Sequence, residues 1–483
     1  MARRRSPRRP ARRPPWPCAG PRRTHPAPDR TPDDRPGRRR VRRGGGAGRG
    51  QRQGRPGTEG APPLPRGRRA GAIRRASGQG RIPHRATSWP EARAVAERAA
   101  RTTGRRAPVS VPVDRALGLV LAAPLTALTD LPSFDTSAMD GWAVAGPGPW
   151  AVREEGVLAG HADPGRLTDG EAVRIATGAR IPPDTTAVLR SEHGRTDDKG
   201  RLHPTRDLLH GQDIRPRGQE CRHGDQLLPL GTQITPAALG LAAAAGYDTV
   251  SVLPRPRVEL LVLGDELLTD GLPREGLIRD ALGPMLPSWL RALGAEVTAV
   301  RRLGDDADAL HRAVKKSSAD LIVTTGGTAA GPVDHVHPIL RRVGAELLVD
   351  GVKVRPGHPM LLARTRQDQH LVGLPGNPLA AVSGLFTLAE PLLRTLAGRP
   401  APEPYTVPLR EGVHGHPHDT RLVPVGLRGD DAVPLHYNGP AMLRGIATAD
   451  ALAVVPPGGA RPGQELELLD LPWATAGIQV CFT

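Results

Sequence analysis

The stretch Leu321-Ile-Val-Thr-Thr-Gly-Gly-Thr-Ala-Ala-Gly-Pro-Val-Asp334 constrains the fold more than any other part of the chain. Leu321, Ile322 and Val323 form a short apolar run with β-branched members, which suits a buried strand. The chain then turns through Thr324, Thr325, Gly326 and Gly327, and a helical pattern follows from about His335. A strand, a glycine turn and a helix start together make an anion site. Glycines let the backbone approach a phosphate, and unpaired N–H groups at the helix start face it. Asp334 is placed either to cap that helix or to hold a divalent cation. Taken alone, the same residues also make an ordinary glycine-rich loop between strand and helix.

The surrounding pattern alternates. A strand over 258–263 leads into Gly264-Asp265-Glu266, with a helix near 287–293 and a strand near 297–300 after it. A helix over 308–316 precedes the 321–325 strand, and a strand over 371–374 precedes a long helix over 379–396. Alternation of this kind predicts a mostly parallel sheet with helices on both faces. Three loops then gather at the strands' C-terminal ends, where ligands bind in such sheets: Gly264-Asp265-Glu266, Thr325-Gly326-Gly327 and Leu374-Pro-Gly-Asn377.

Before this region, Ser88 and Glu91 have capping-box spacing, Pro90 sits in the first turn, and Val95, Ala96 and Ala99 form one face. Thr235 caps a helix that has Pro236 in its first turn and Gly246 at its end. From Trp142 to about His210 the pattern is short strands and turns. Beyond Pro404 it is again short β segments, such as 421–425 and 451–455, which predict a small barrel or sandwich. A Pro-Arg-Pro-Arg linker at 254–257 marks a boundary.

Charge divides the chain differently. Residues 1–88 hold 26 Arg, no Lys and 4 acidic residues, so the formal +18 is a tail of +22 on a remainder of −4. The tail is rich in Arg, Pro and Gly, cannot bury a core, and reads as disordered. It is a spacer, sequence upstream of the true start, or an arm attracted to nucleic acid without specificity. Cys18, Cys221 and Cys481 lie far apart, as in a reducing cytoplasm rather than a disulfide framework. No apolar run reaches transmembrane length.

Residues 131–144, Leu-Pro-Ser-Phe-Asp-Thr-Ser-Ala-Met-Asp-Gly-Trp-Ala-Val, pack two acids and two hydroxyls among apolar residues. Burying such groups is expensive unless they have partners, so the stretch reads as a site. Arg174-Ile-Ala-Thr-Gly-Ala-Arg-Ile-Pro-Pro183 is of the same kind, and Asp213-Ile-Arg-Pro-Arg-Gly-Gln-Glu220 is a charged connection.

Those segments, with residues 264–267, 324–334, 356–359 and 373–378, occur in the order found in one family. Over residues 88–483 the chain resembles the molybdopterin molybdenumtransferases, whose relatives include the gephyrin E-domain. The resemblance implies insertion of molybdate into adenylylated molybdopterin with release of AMP, assisted by a divalent metal such as Mg2+. It implies a multidomain α/β plus β fold: a discontinuous elongated domain (88–130 and 212–254), a β-rich insert (131–211), an α/β domain (255–402) and a C-terminal β domain (403–483), after the tail 1–87. It further implies a cytoplasmic homodimer whose site lies where the α/β domain of one subunit meets the insert of the other. Molybdopterin adenylyltransferase and molybdoenzymes are the partners such a protein would meet.

Carried over residue by residue, Asp135, Glu266, Asp280 and Asp334 match the family's acidic positions, and Glu266, Asp280 and Asp334 are the metal candidates. Thr177 is placed to hydrogen-bond substrate and Gly326 and Gly327 to cradle a phosphate. Arg355 and His358 stand where the family usually has lysines, between Lys353, Pro356, Pro359 and, further on, Asn377. A dianionic oxometalate approaching a pyrophosphate needs cationic donors of this kind. His414, His416 and His418 form a second possible metal tract, more simply a solvated loop.

There are departures from the pattern. Asp280-Ala281-Leu282-Gly283 replaces a polar Asp-Ser/Thr-Asn, Thr328-Ala329-Ala330-Gly331 replaces Val-Ser-Val-Gly, and Glu220 replaces an Asp. Two other functions therefore stay open: the preceding adenylylation of molybdopterin, and a non-catalytic protein that keeps the cofactor site.

Overall fold

The computed structural model describes residues 86–104, 106–160, 165–328 and 335–472. The reading of residues 1–85 as a tail, and the roles given to Asp334, fall outside them.

Leu321, Ile322 and Val323 are fully buried, as an apolar run covered on both faces must be. They lie near the middle of a six-stranded sheet. Its strands run, edge to edge, Glu296–Leu303, Arg257–Leu263, Leu321–Thr325, Gln369–Leu374, Leu361–Arg366 and Glu346–Asp350. The first four are parallel, and Leu361–Arg366 runs against its two neighbours. Helices Leu282–Ala292, Pro378–Gly384 and Glu390–Leu396 cover one face through Leu286, Trp289, Val382 and Leu392. Ala307–Lys316 and Val336–Arg342 cover the other through Leu310, Val314 and Ile339. The stretch Pro378–Leu396 is apolar and long enough to cross a membrane by composition, but most of it is inside this core.

Two elements differ from the sequence reading. The helix expected from Pro287 starts at Leu282, because the Asp280 carboxylate accepts the Gly283 N–H at 2.7 Å and opens the helix a turn earlier. The Ser88 side chain makes no cap bond. Thr87–Ser88 instead pairs as a strand with Val352 and Lys353. The helix behind it, Trp89–Thr102, buries Trp89, Ala92, Ala96 and Ala99 in the α/β core, away from the 109–126 segment that follows it. Trp89 Nε1 donates to Thr387 Oγ1 at 3.1 Å, and Arg93 pairs with Glu390 at 3.1 Å.

Val109–Pro112 and Val120–Leu121 pair with Thr249–Leu253, and Leu125–Thr126 pairs with Gln226–Leu228. Between them lies a six-stranded sheet ordered Gly194–Thr196, Arg201–Pro204, Trp150–Val157, Glu171–Ile175, Gly141–Val144 and Ala187–Arg190. The C-terminal sheet gathers Thr420–Arg428, Ala451–Val455, Glu465–Asp470 and Thr406–Pro408. Val352–Arg355 joins it from the α/β region, parallel to Thr420–Arg428. That one strand makes a seam between the two regions.

Candidate active site

Successive residues of a strand face opposite ways. In Val352–Arg355, Val352 and Val354 are buried in the α/β core, so Lys353 and Arg355 fall on the other side. Arg355 is the register partner of Arg421 on the neighbouring strand, which sets two guanidinium groups side by side. Arg355 Nε donates to Asp419 Oδ2 at 2.8 Å. Arg421 donates to the His414 carbonyl at 2.7 Å and to Asn438 Oδ1 at 2.9 Å. Both line a cavity of about 290 Å3, with Pro356, His358, Pro359 and Asn377 among its other walls. Lys353 pairs with Ser88 and is not part of that lining.

His358 Nδ1 lies 2.8 Å from the Val352 carbonyl. A carbonyl only accepts, so Nδ1 carries the proton and Nε2 is the open nitrogen. Gly357 permits this turn. Its φ is 112°, and a Cβ there would stand 2.9 Å from the Ala380 carbonyl oxygen. The turn thus packs directly on the helix that follows Asn377.

The three loops expected at the strand ends do meet. Gly326 N–H donates to the Leu374 carbonyl at 2.9 Å, and a Cβ on Gly376 would reach Gly326 Cα at 3.7 Å. A Cβ on Gly326 would stand 3.4 Å from the Leu263 carbonyl oxygen. Gly326 and Gly327 both have positive φ, 80° and 62°, a backbone conformation that glycine adopts without strain. The exposed Glu266 carboxylate folds back over Gly264, whose missing side chain makes room for it.

Asp280 behaves differently. Its side chain is 2 % exposed, and both oxygens are engaged. Oδ1 accepts the Gly283 N–H, while Oδ2 accepts Arg302 Nε at 3.2 Å and Nη2 at 3.0 Å. The resemblance implies a divalent cation, and the described donors do not fit one. Asp280 is already neutralised by a guanidinium, and among the described residues no three His, Cys, Asp or Glu side chains group closely enough to hold a metal. The His414 to His418 tract is no exception: His416 Nδ1 faces the Asp419 and His418 amides.

Asp135 and Thr177 stand in a second cluster, on the insert, where the three polar segments of the sequence come together. Ser137 N–H donates to the Ala179 carbonyl at 2.9 Å, Ile181 N–H to the Asp135 carbonyl at 2.9 Å, and Ala138 N–H to the Asp213 carbonyl at 2.8 Å. Asp135 Oδ1 accepts the Arg217 N–H at 2.6 Å. Thr177 donates both its N–H, at 2.7 Å, and its hydroxyl, at 3.0 Å, to Asp140 Oδ1. Those two bonds hold the Asp140 carboxyl below the usual carboxylate range. Neither Asp135 nor Thr177 lines the seam cavity.

The sequence reading did not single out Arg421, Asn438, Arg302 or Asp140. Asp140 was visible as the second acid of the 131–144 segment. Arg421 opens a recognised β segment, but its partnership with Arg355 is a matter of register between distant strands.

The comparisons agree along the chain. Residues 87–246 match the model of the MoeA N-terminal region (domain I and II), 259–395 that of the probable molybdopterin binding domain, and 406–471 that of the MoeA C-terminal region (domain IV). A molybdopterin molybdenumtransferase of Staphylococcus aureus (strain Mu50) is 29 % identical over 382 residues, covering 75 % of this chain and 90 % of the relative. Molybdopterin molybdenumtransferase 2 of Mycobacterium tuberculosis is 36 % identical over 315 residues, covering 61 % and 76 %. The crystal structure of a molybdopterin biosynthesis MoeA protein from Pyrococcus horikosii superposes with a TM-score of 0.65 at 25 % identity, covering 80 % of this chain and 99 % of that one.

Proposed function

Because the chain belongs to the molybdopterin molybdenumtransferase family, we propose that the seam cavity is where its molybdate is received. The protein is a transferase of molybdenum cofactor biosynthesis, inserting molybdate into adenylylated molybdopterin with release of AMP. Molybdate is a dianion and must approach a phosphate-bearing substrate, so the site has to offset repulsion before any bond forms.

Arg355 and Arg421 do this in our reading, Arg355 oriented by Asp419 and Arg421 by the His414 carbonyl and Asn438, with further N–H groups to offer an anion. His358 adds a third donor through Nε2 only as the imidazolium, since with the proton on Nδ1 the neutral ring's Nε2 accepts. Asn377 and the loop at Gly326 and Gly327 line the way to the strand ends, where backbone amides would receive the phosphate. Asp135 and Thr177 enter from the insert of a second subunit, so the active form is a homodimer, working in the cytoplasm. Glu266 and Asp334 are left as candidate acidic groups of the crevice.

The observation that carries this reading is the register pairing of Arg355 with Arg421 beside Asn377. It also sets aside the adenylyltransferase alternative, which has no use for a C-terminal region that supplies half of the cations. The test is molybdate-dependent release of AMP from adenylylated molybdopterin by the purified protein. Turnover that depends on molybdate is expected. Binding of adenylylated molybdopterin without turnover would make the chain a cofactor-binding protein instead.

A further inference from the structure

At the phosphate end of the crevice, the place a metal would take on Asp280 is filled by a side chain of the protein. Arg302 is the second-last residue of the strand Glu296–Leu303, at the C-terminal edge of the parallel sheet. It is the register partner of Val262, and Val262 is the partner of Thr325, the residue before Gly326. Arg302 and the start of the glycine loop therefore share one row across the sheet, two strands or about 10 Å apart. Both side chains project to the same face, the one that carries the helix Leu282–Ala292.

The pairing is built into the backbone. A Cβ at Gly283 would stand 2.1 Å from Asp280 Oδ2 and 2.8 Å from Arg302 Nη2, so no other residue at 283 leaves room for the ion pair as it stands. Gly283 lies in the very segment where the chain departs from the polar family pattern. That departure is accompanied by a guanidinium in contact with Asp280. The Asp280 side chain is 2 % exposed and that of Arg302 45 %, so the carboxylate faces inward and the cation outward. Arg302 spends Nε and Nη2 on Asp280, and its Nη1 makes no bond to that carboxylate.

We propose that Arg302, oriented by Asp280, is a phosphate-binding residue of this enzyme, and that Asp280 is its positioning residue and not a metal ligand. The ligand class is a phosphate ester, met here as the AMP part of the adenylylated substrate. The inference rests on the reading that this substrate lies at the strand ends. A guanidinium offers fixed charge and planar donors where a metal would need a free carboxylate.

The test is calorimetric titration of AMP into the full-length protein in EDTA, with Mn2+ binding followed in parallel by electron paramagnetic resonance. Wild type should bind AMP without metal. Arg302→Met should weaken that binding at least tenfold and Arg302→Lys by less, while Arg302→Met gains Mn2+ affinity because Asp280 is uncovered. The double variant Arg302→Met with Asp280→Asn leaves no unpaired buried charge. It serves if the single variant does not fold, and should show the same loss of AMP affinity without the gain in Mn2+. AMP affinity in EDTA unchanged in Arg302→Met, or in the double variant, overturns the inference alone. No AMP binding by wild type, with or without Mn2+, overturns the reading of the strand ends and this inference with it.

Discussion

The insert and the seam present opposite charges by the same device. On the insert, the exposed acids Asp135 and Asp140 are held by backbone amides, from Arg217 and Thr177. At the seam, Arg355 and Arg421 are held by Asp419 and Asn438. In each case part of a charged group is tied to the fold, one atom for Asp135, Asp140 and Arg355 and two for Arg421. Orientation is thereby fixed without neutralising the whole group. The difference lies in sign, and it decides what each surface can receive. On the proposed reading a dianion is drawn to the seam and not to the insert cluster.

The largest expected effect tests that division. Arg421→Ala should lower molybdate-dependent AMP release on the order of 100- to 1000-fold, as removal of one preorganised donor to a developing or bound anion does. Its ties are to a carbonyl and a side-chain amide, so a thermal melt should stay close to wild type. A variant that turns over normally would move the oxyanion site elsewhere.

Acid should separate the two regions next. His370, fully buried in the α/β core, has its pKa lowered from 6.5 to about 4 by burial, with Arg364 adding to it. Above pH 6.5 both folded and unfolded chains hold this imidazole neutral. As the pH falls toward 4 only the unfolded chain takes up the proton, so stability is lost across that window, on the order of 3 kcal/mol. The insert carboxylates Asp140 and Glu171, and Asp213 just after the insert, have lowered pKa values, so their stabilisation persists through the same window and is lost only at lower pH. Denaturant melts between pH 7 and pH 4.5 should show this loss, and His370→Leu should flatten it. An unchanged pH slope in that variant would remove His370 as the cause.

Arg355→Ala should differ from Arg421→Ala by costing stability too, about 1–3 kcal/mol, because it leaves the Asp419 side chain, 9 % exposed, without its guanidinium. Equal melting of the two variants would mean that Asp419 finds another partner. The smallest effect concerns His358. His358→Ala should weaken molybdate binding a few-fold in calorimetric titration, and His358→Lys should restore it. Unchanged affinity in His358→Ala would take His358 out of the oxyanion's reach.

The central sheet was legible because Leu321, Ile322 and Val323 can only be a buried strand, and because the glycines after it permit few other turns. The strand-end loops followed from the same alternation. Helix starts were less legible. The helix expected near 287–293 starts at Leu282, where the Asp280 carboxylate two residues earlier takes the Gly283 amide, and at Thr87–Ser88 a strand contact displaced the other predicted cap. Side-chain competition of this kind leaves no periodic trace. Arg355 meets Arg421 through strand register 66 residues away, and Asp280 meets Arg302 through an ion pair 22 residues away, neither of which a single sequence displays.

The most direct measurement is calorimetric titration of molybdate into wild type, Arg421→Ala and Asp135→Ala, each checked for folding by its melt. Binding by wild type and Asp135→Ala, with at least a tenfold loss in Arg421→Ala, is the predicted result. Binding that survives in Arg421→Ala but is lost in Asp135→Ala would contradict it, and would place the oxyanion on the insert.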